Sequence, residues 1–214
     1  MNVHVLPVTA FQQNCTLVIA DDGETAAVID PGGDVERIRA LLERLGAKPQ
    51  LILLTHGHLD HVGGARQLAD QLQIPVWGPQ REDDFWLQQV AAQAAAFGLP
   101  APGNLQPDRW LEEGDQVSVG NLNFDVLHCP GHTPGHIVFV ERQLRWAQVG
   151  DVLFRGSIGR SDFPRGNHQQ LLDSIRGKLF PLGDDIEFVP GHGPTSTFGE
   201  ERRTNPFVAD ARYR

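Results

Sequence analysis

The chain has 214 residues, 40% of them hydrophobic and 21% charged, a composition that excludes fibrous and disordered classes and suits one globular domain, residues 1–214. A formal net charge of −9 and a pI near 5.4 exclude nucleic acid as a general partner, because phosphate binding needs clustered Lys and Arg. Cys15 and Cys129 are the only cysteines and lack Cys-x-x-Cys spacing, which excludes a disulfide framework and a thiolate zinc finger and fits a reducing cytosol.

The opening Met1-Asn-Val-His-Val-Leu-Pro-Val has neither a basic start nor a cleavage site. No later run approaches the roughly 18 apolar residues of a membrane span. A soluble cytoplasmic protein with no membrane partner is the expectation. Val3 to Val8, Cys15 to Ala20 and Ala26 to Asp30 read as strands, with Asp21-Asp22-Gly23 as a hairpin-type turn, so the chain begins as an antiparallel ribbon. Val35 to Leu45 predicts a helix with Asp34 as its cap and Gly46 as its stop. Its Ile38, Leu41, Leu42 and Leu45 form one apolar face.

The run Leu51 to Leu54 reads as a strand buried on both faces, and it stops in Thr55-His-Gly-His-Leu-Asp-His61. Three of the nine histidines thus fall within six positions. Gly57 lets the backbone bend so that His56 and His58 face one point, while Asp60 and His61 face a second. Imidazole and carboxylate suit zinc, manganese or iron, so one loop can feed two metals. Ala65 to Leu72 predicts a helix, Ile74 to Trp77 a strand, and Arg81 to Phe97 one further helix whose aromatics read as packing. Leu99 to Pro107 reads as a Pro-rich surface connection.

A second β series follows at 116–119, 122–127, 137–140 and 144–149, then a helix at 168–179, a strand at 186–189 and an irregular tail. Strand, helix, then buried strand is a β/α layer. Three of these strand runs end like the first. Cys129 leads into Pro130-Gly-His132-Thr-Pro-Gly-His136, Val149 into Gly150-Asp151, and Val189 into Pro190-Gly-His192. Loops at strand ends can bring such distant residues together on a rigid frame. Spacing alone does not choose among His128, His132 and His136.

His56-Gly-His58-Leu-Asp60-His61, followed in order by His132, Asp151 and His192, resembles the signature of the metallo-β-lactamase superfamily along nearly the whole chain. The resemblance implies an α/β fold, the αββα sandwich of two mixed β-sheets flanked by helices, with the site along one edge. It also implies one metal on His56, His58 and His132, a second on Asp60, His61 and His192, and Asp151 bridging. His136 and His128 stay outside that set. Asp60 and Asp151 are then the catalytic carboxylates, and the cofactor is two divalent ions, zinc first, with iron and manganese also suited. Gly150-Asp-Val-Leu-Phe154 and Gly159-Arg-Ser-Asp-Phe163 resemble the compact bacterial branch of the type II glyoxalases, the hydroxyacylglutathione hydrolases. That likeness implies hydrolysis of S-D-lactoylglutathione.

Its partner is therefore a small glutathione thioester, whose carboxylates call for cations; Arg160 and Arg165 are the candidates, against a local Arg160–Asp162 ion pair. Larger members carry a C-terminal helical extension, whereas Arg214 comes about twenty residues after His192. The rival reading is a glutathione persulfide dioxygenase with one ferrous iron on His56, His132 and Asp151. A broader thioesterase or lactonase is the other alternative. The sequence leaves the oligomeric state open.

Overall fold

The computed structural model describes residues 1–99, 102–103 and 105–210. Strands β1 (Asn2–Val8), β2 (Gln13–Ile19), β3 (Thr25–Ile29), β4 (Lys48–Leu53) and β5 (Val76–Trp77) form one sheet in that order. The first three are antiparallel, as the ribbon pattern predicts, and β3-β4-β5 run parallel. Strands β6 (Gln116–Val119), β7 (Leu122–His128), β8 (Ile137–Glu141) and β9 (Trp146–Gly150) come next, then a small hairpin of β10 (Leu153–Phe154) and β11 (Ser157–Ile158). Strands β12 (Glu187–Pro190) and β13 (Ser196–Thr197) complete a second sheet ordered β13-β12-β9-β8-β7-β6. Both sheets are mixed, since β9 and β12 are parallel.

Alternation along the strands sorts the core into layers, because successive side chains point to opposite faces. Leu17, Val28 and Ile52 pack under the helices Val35–Leu45 and Ala65–Leu72, against Ile38, Leu42 and Leu68. Val18, Ala27, Ile29, Leu51 and Leu53, their strand neighbours, meet Phe124, Val126, Ile137 and Phe139 of the second sheet. Val138, Val140, Ala147 and Val149 face outward to Leu171, Ile175 and Phe198. Helix, sheet, sheet and helix are therefore stacked, the αββα sandwich with β4 buried on both faces.

Several local expectations change. Asp34 does not cap its helix. It is left-handed (φ 50°) and makes no capping bond; its carboxylate instead accepts the Thr9 N–H at 2.9 Å and pairs with Arg37 at 2.7 Å. Gly46 closes that helix as predicted, left-handed at φ 65°. The single helix expected over 81–97 is three pieces, a 3-10 turn Arg81–Asp83 and helices Asp84–Leu87 and Val90–Ala96. The strand expected at 74–77 shortens to two residues after Pro75, and that at 144–149 starts at Trp146 because Arg145 (φ 56°) belongs to the turn. The helix over 168–179 is α only to Ser174 and then π to Leu179.

The tail is not irregular. Thr197 accepts the Glu200 N–H at 3.1 Å and starts a helix, Phe198–Thr204, whose Phe198 is fully buried and stacks on Phe188 at 5.5 Å. Thr197-Phe-Gly-Glu200 is the capping-box spacing that marks such a start. Pro100, Ala101 and Asn104 of the Pro-rich connection, and residues 211–214 of the tail, lie outside the described residues.

Candidate metal centre

The strand ends place every candidate ligand at one edge. After β4 the chain passes through Thr55 to His56 and His58, and His58 is extended (φ −74°, ψ 146°) before the short helix Leu59–Val62 that carries Asp60 and His61. Asp151 follows the last residue of β9, and His192 lies just beyond β12. The His192 loop is sewn to the first sheet: the Asn14 side chain donates to the Pro190 and Gly193 carbonyls at 3.0 and 2.9 Å.

Three imidazoles converge. His58 Nδ1 is 3.2 Å from His56 Nε2 and 3.0 Å from His132 Nε2. The other ring atoms fix the proton positions. His132 Nδ1 donates to the Arg160 carbonyl at 2.7 Å. The Thr55 hydroxyl donates to Asp30 Oδ2 at 2.6 Å and so receives the Nδ1–H of His56 at 3.0 Å. Both Nε2 lone pairs are then aimed at His58 Nδ1, which can give a proton to only one of them, so at least one nitrogen pair is left without a proton between them. A tetrahedral cation with nitrogen ligands at about 2.0–2.1 Å would set those nitrogens roughly 3.3 Å apart, close to the spacing found. The donor set fits a divalent metal.

Beside it, Asp60, His61 and His192 form a second group of compatible geometry. His192 Nε2 lies 3.1 Å and His61 Nε2 3.8 Å from Asp60 Oδ2. Asp151 stands between the groups, with Oδ1 3.4 Å from His61 Nε2 and Oδ2 3.5 Å from His132 Nε2. His61 Nε2 and Asp151 Oδ1 are buried with no hydrogen-bond partner, an expensive state that a cation between them would relieve. The triad Asp30, His56 and His61 is also close enough for a metal. Its Asp30 oxygens, however, already accept from Thr55 N–H and hydroxyl, and Oδ2 receives His61 Nδ1 at 2.9 Å. Asp30 orients ligands, as outer partners of metal-bound histidines do.

Charge divides the site. Burial pushes the His56 imidazole well below its ordinary value and that of His58 down to about 3, with the surrounding histidines adding to the effect. Burial would lower His61 as well, but the Asp151 and Asp60 carboxylates hold it well above. Burial alone would raise Asp151; His61, His132 and His192 keep it far below the usual carboxylate range. The site therefore presents neutral His56 and His58 imidazoles on one side and, on the other, ionised carboxylates that favour the charged form of His61.

A model of the metallo-beta-lactamase superfamily matches residues 8–192. The chain belongs to the metallo-beta-lactamase superfamily. Within it, hydroxyacylglutathione hydrolase GloC of Haemophilus influenzae is 51% identical over 209 residues, which cover 97% of this chain and 98% of that one. Among solved structures, the B3 metallo-beta-lactamase BLEG-1 superposes with a TM-score of 0.90 at 34% identity, covering 98% of this chain and all of that one. TTHA1623 in a di-iron-bound form gives 0.87 at 39% identity, covering 96% and 100%. The chain is accordingly a hydrolase of the metallo-beta-lactamase superfamily.

All seven histidines and aspartates of the superfamily motif meet at this centre, whereas the two arginines part company. Arg160 lines a groove of about 490 Å³ that opens from His58, Asp60, His132, Asp151 and His192. Its guanidinium is engaged with Asp162 at 2.9 and 3.0 Å, so the local ion pair is real. Arg165 does not line the groove, and its guanidinium lies 4.0 Å from the Phe85 ring centre. Its backbone there is left-handed (φ 63°). Arg155, which the motif reading passed over, does line the groove, is exposed, and has no ion pair among the described residues. His136 accepts the Asp151 N–H on Nε2 at 3.0 Å and so positions that carboxylate. His128 Nε2 donates to the Pro134 carbonyl at 2.7 Å, outside the centre.

Gly191 makes room for the centre. A Cβ there would fall on Asp151 Oδ1 and crowd His61 Cε1. Gly191→Ala is therefore expected to displace Asp151 and lower metal content at least about tenfold at limiting metal, as read by elemental analysis. Full metal loading in that variant would contradict the close packing.

Proposed function

We propose that the chain hydrolyses the thioester of S-D-lactoylglutathione to glutathione and D-lactate with two divalent cations, zinc first, and iron or manganese as alternatives. His56, His58 and His132 would hold one cation, Asp60, His61 and His192 the other, and Asp151 both. The observation that carries the reading is Asp151, whose two oxygens reach His61 and His132 of the separate groups at 3.4 and 3.5 Å. Bound cations supply Lewis acidity toward the thioester carbonyl and lower a water pKa from 15.7 to roughly 7.

The chain's own residues do the rest. In the overall reaction a C–O bond forms from water and the C–S bond breaks. The departing thiolate takes up a proton from solvent and needs no strong general acid. Asp60 Oδ2 lies 3.1 Å from His192 Nε2, the spacing that two ligands of one cation would have, and His136 fixes the backbone of Asp151. The groove with Arg155, Arg160 and Ser157 suits the glutathionyl carboxylates. Because Arg160 is already paired, Arg155→Ala is expected to raise KM about tenfold and Arg160→Ala less, consistent with roughly 1.4 kcal/mol for one exposed charged contact. Equal KM values for wild type and Arg155→Ala would remove that arginine from substrate binding.

The test is loss of S-D-lactoylglutathione by purified protein reconstituted with zinc, iron or manganese, with His58→Ala as control. Metal-dependent turnover that His58→Ala lacks supports the reading. No turnover with any of the three metals overturns it and moves the single-iron persulfide dioxygenase forward, with oxygen uptake as its assay. The two buried thiols, that of Cys129 pushed up to about 12 by burial, take no part.

A further inference from the structure

A second cavity, of about 270 Å³, adjoins the centre. Phe11, Leu59, Trp86, Phe97 and Phe163 bound it, and it shares His58, Asp60 and Phe163 with the arginine groove. A molecule whose reacting carbon sits at His58 and Asp60 would thus extend one way into a cationic groove and the other into an aromatic pocket. The aromatics pack edge-on in two groups. Trp86 stands edge-on to His58 at 4.5 Å, Phe163 to His58 at 5.1 Å, and Phe11 to Phe97 at 5.0 Å.

Gln93 and Asp60 at this pocket are already engaged, while the buried Trp86 Nε1 and His58 Nε2 have no hydrogen-bond partner among the described residues. Gln93 accepts the Leu59 N–H at 3.0 Å and donates to the Trp86 carbonyl at 3.1 Å, while Asp60 is engaged by His192. What the lining offers a ligand is mainly apolar surface. Phe97 is 62% exposed at the pocket mouth, where a large apolar side chain gains nothing from burial within the fold. Volume is sufficient as well, since a dry apolar cavity of roughly 150 Å³ already accepts benzene.

We infer that this pocket is the acyl subsite and that it takes thioesters with an aryl-bearing acyl group larger than lactoyl. The inference rests on the thioester hydrolase reading and extends it to substrate class. A phenyl ring would meet Phe11, Trp86 and Phe97 in the edge and offset contacts that aromatic pairs favour, each worth about 0.5–1.5 kcal/mol. Lactoyl, with one methyl, would leave most of the pocket unfilled.

The experiment compares kcat/KM for S-mandeloylglutathione and S-D-lactoylglutathione in the metal-loaded wild type, Phe97→Ala and Phe11→Ala. The wild type is expected to favour the mandeloyl thioester, and each variant to lower the mandeloyl-to-lactoyl ratio about tenfold. Phe97 is largely exposed, so its variant keeps the fold; Phe11→Ala removes the facing ring independently. If both thioesters are hydrolysed but no variant moves the ratio, the acyl subsite is wrong and the hydrolase reading stands. If neither is hydrolysed, that reading fails and takes the subsite with it.

Discussion

Asp151→Ala is expected to lose metal and turnover together while keeping the fold. Asp151 is a carboxylate placed between both ligand groups, and its Oδ1 is buried without a hydrogen-bond partner. Metal content should fall from about two ions per chain to at most about one, since among the described residues the nearby carboxylate of Asp30 is already taken up by Thr55 and His61. The rate should fall at least about a thousandfold, because a loss of roughly 4 kcal/mol of transition-state stabilisation has that effect. Asp151→Asn discriminates charge from shape. It preserves volume but offers one neutral oxygen in place of two anionic ones, so it should lose metal nearly as completely. The readouts are elemental analysis, S-D-lactoylglutathione turnover and far-ultraviolet circular dichroism. Two bound metals with wild-type turnover in either variant would remove Asp151 from the bridging position. A collapsed spectrum would instead mean that the carboxylate holds the fold.

The layers and the convergence of the candidate ligands are legible in the sequence for a common reason. Period-two alternation in residues 122–127 and the apolar run 51–54 record what each strand face meets, and a ligand loop must follow a strand end to be held rigidly. His56, His58, His132 and Asp151 could be read because residue type and strand end coincide. The outer partners carry no such mark. Asp30 is one aspartate beside a Pro-Gly turn, Asn14 one asparagine in a strand, and His136 one of three histidines in a short stretch. Their roles depend on contacts such as Asn14 to Pro190, which no local pattern encodes. Arg165 does not line the groove; its guanidinium lies over Phe85, and its backbone is left-handed. Trp86 read as packing, and it is buried; the wall it presents to the second cavity becomes visible only once the helix over 81–97 is broken at Asp83 and again near Gln89.

Asp83 marks that first break and carries the second large expected effect. Fully buried, it accepts the Gly57 N–H at 2.7 Å, the Thr133 hydroxyl at 2.8 Å and the Gly135 N–H at 2.6 Å. One carboxylate thus clamps the loop carrying His56 and His58 to the loop carrying His132. Asp83→Ala leaves three buried donors unsatisfied, at about 1–3 kcal/mol each, so stability should fall by on the order of 3–5 kcal/mol. Metal affinity should drop about 10- to 100-fold, the usual cost of losing an outer partner of a metal ligand. Asp83→Asn keeps the volume and one acceptor, and excess metal should restore most of its turnover, which it cannot do for Asp151→Ala.

A pH signature separates the clamp from a merely space-filling role. Burial pushes the Asp83 carboxyl up from 3.8 to about 7, against the pull of its three hydrogen bonds. Between those values the folded chain binds more protons at Asp83 than the unfolded chain, so its contribution makes stability fall as pH rises through the window. Asp83→Asn abolishes that contribution. Urea unfolding of the metal-free protein at pH 5 and pH 7.5 should show a smaller decline for the variant than for the wild type. Identical declines, with unchanged metal affinity, would show that the two histidine loops do not depend on this carboxylate.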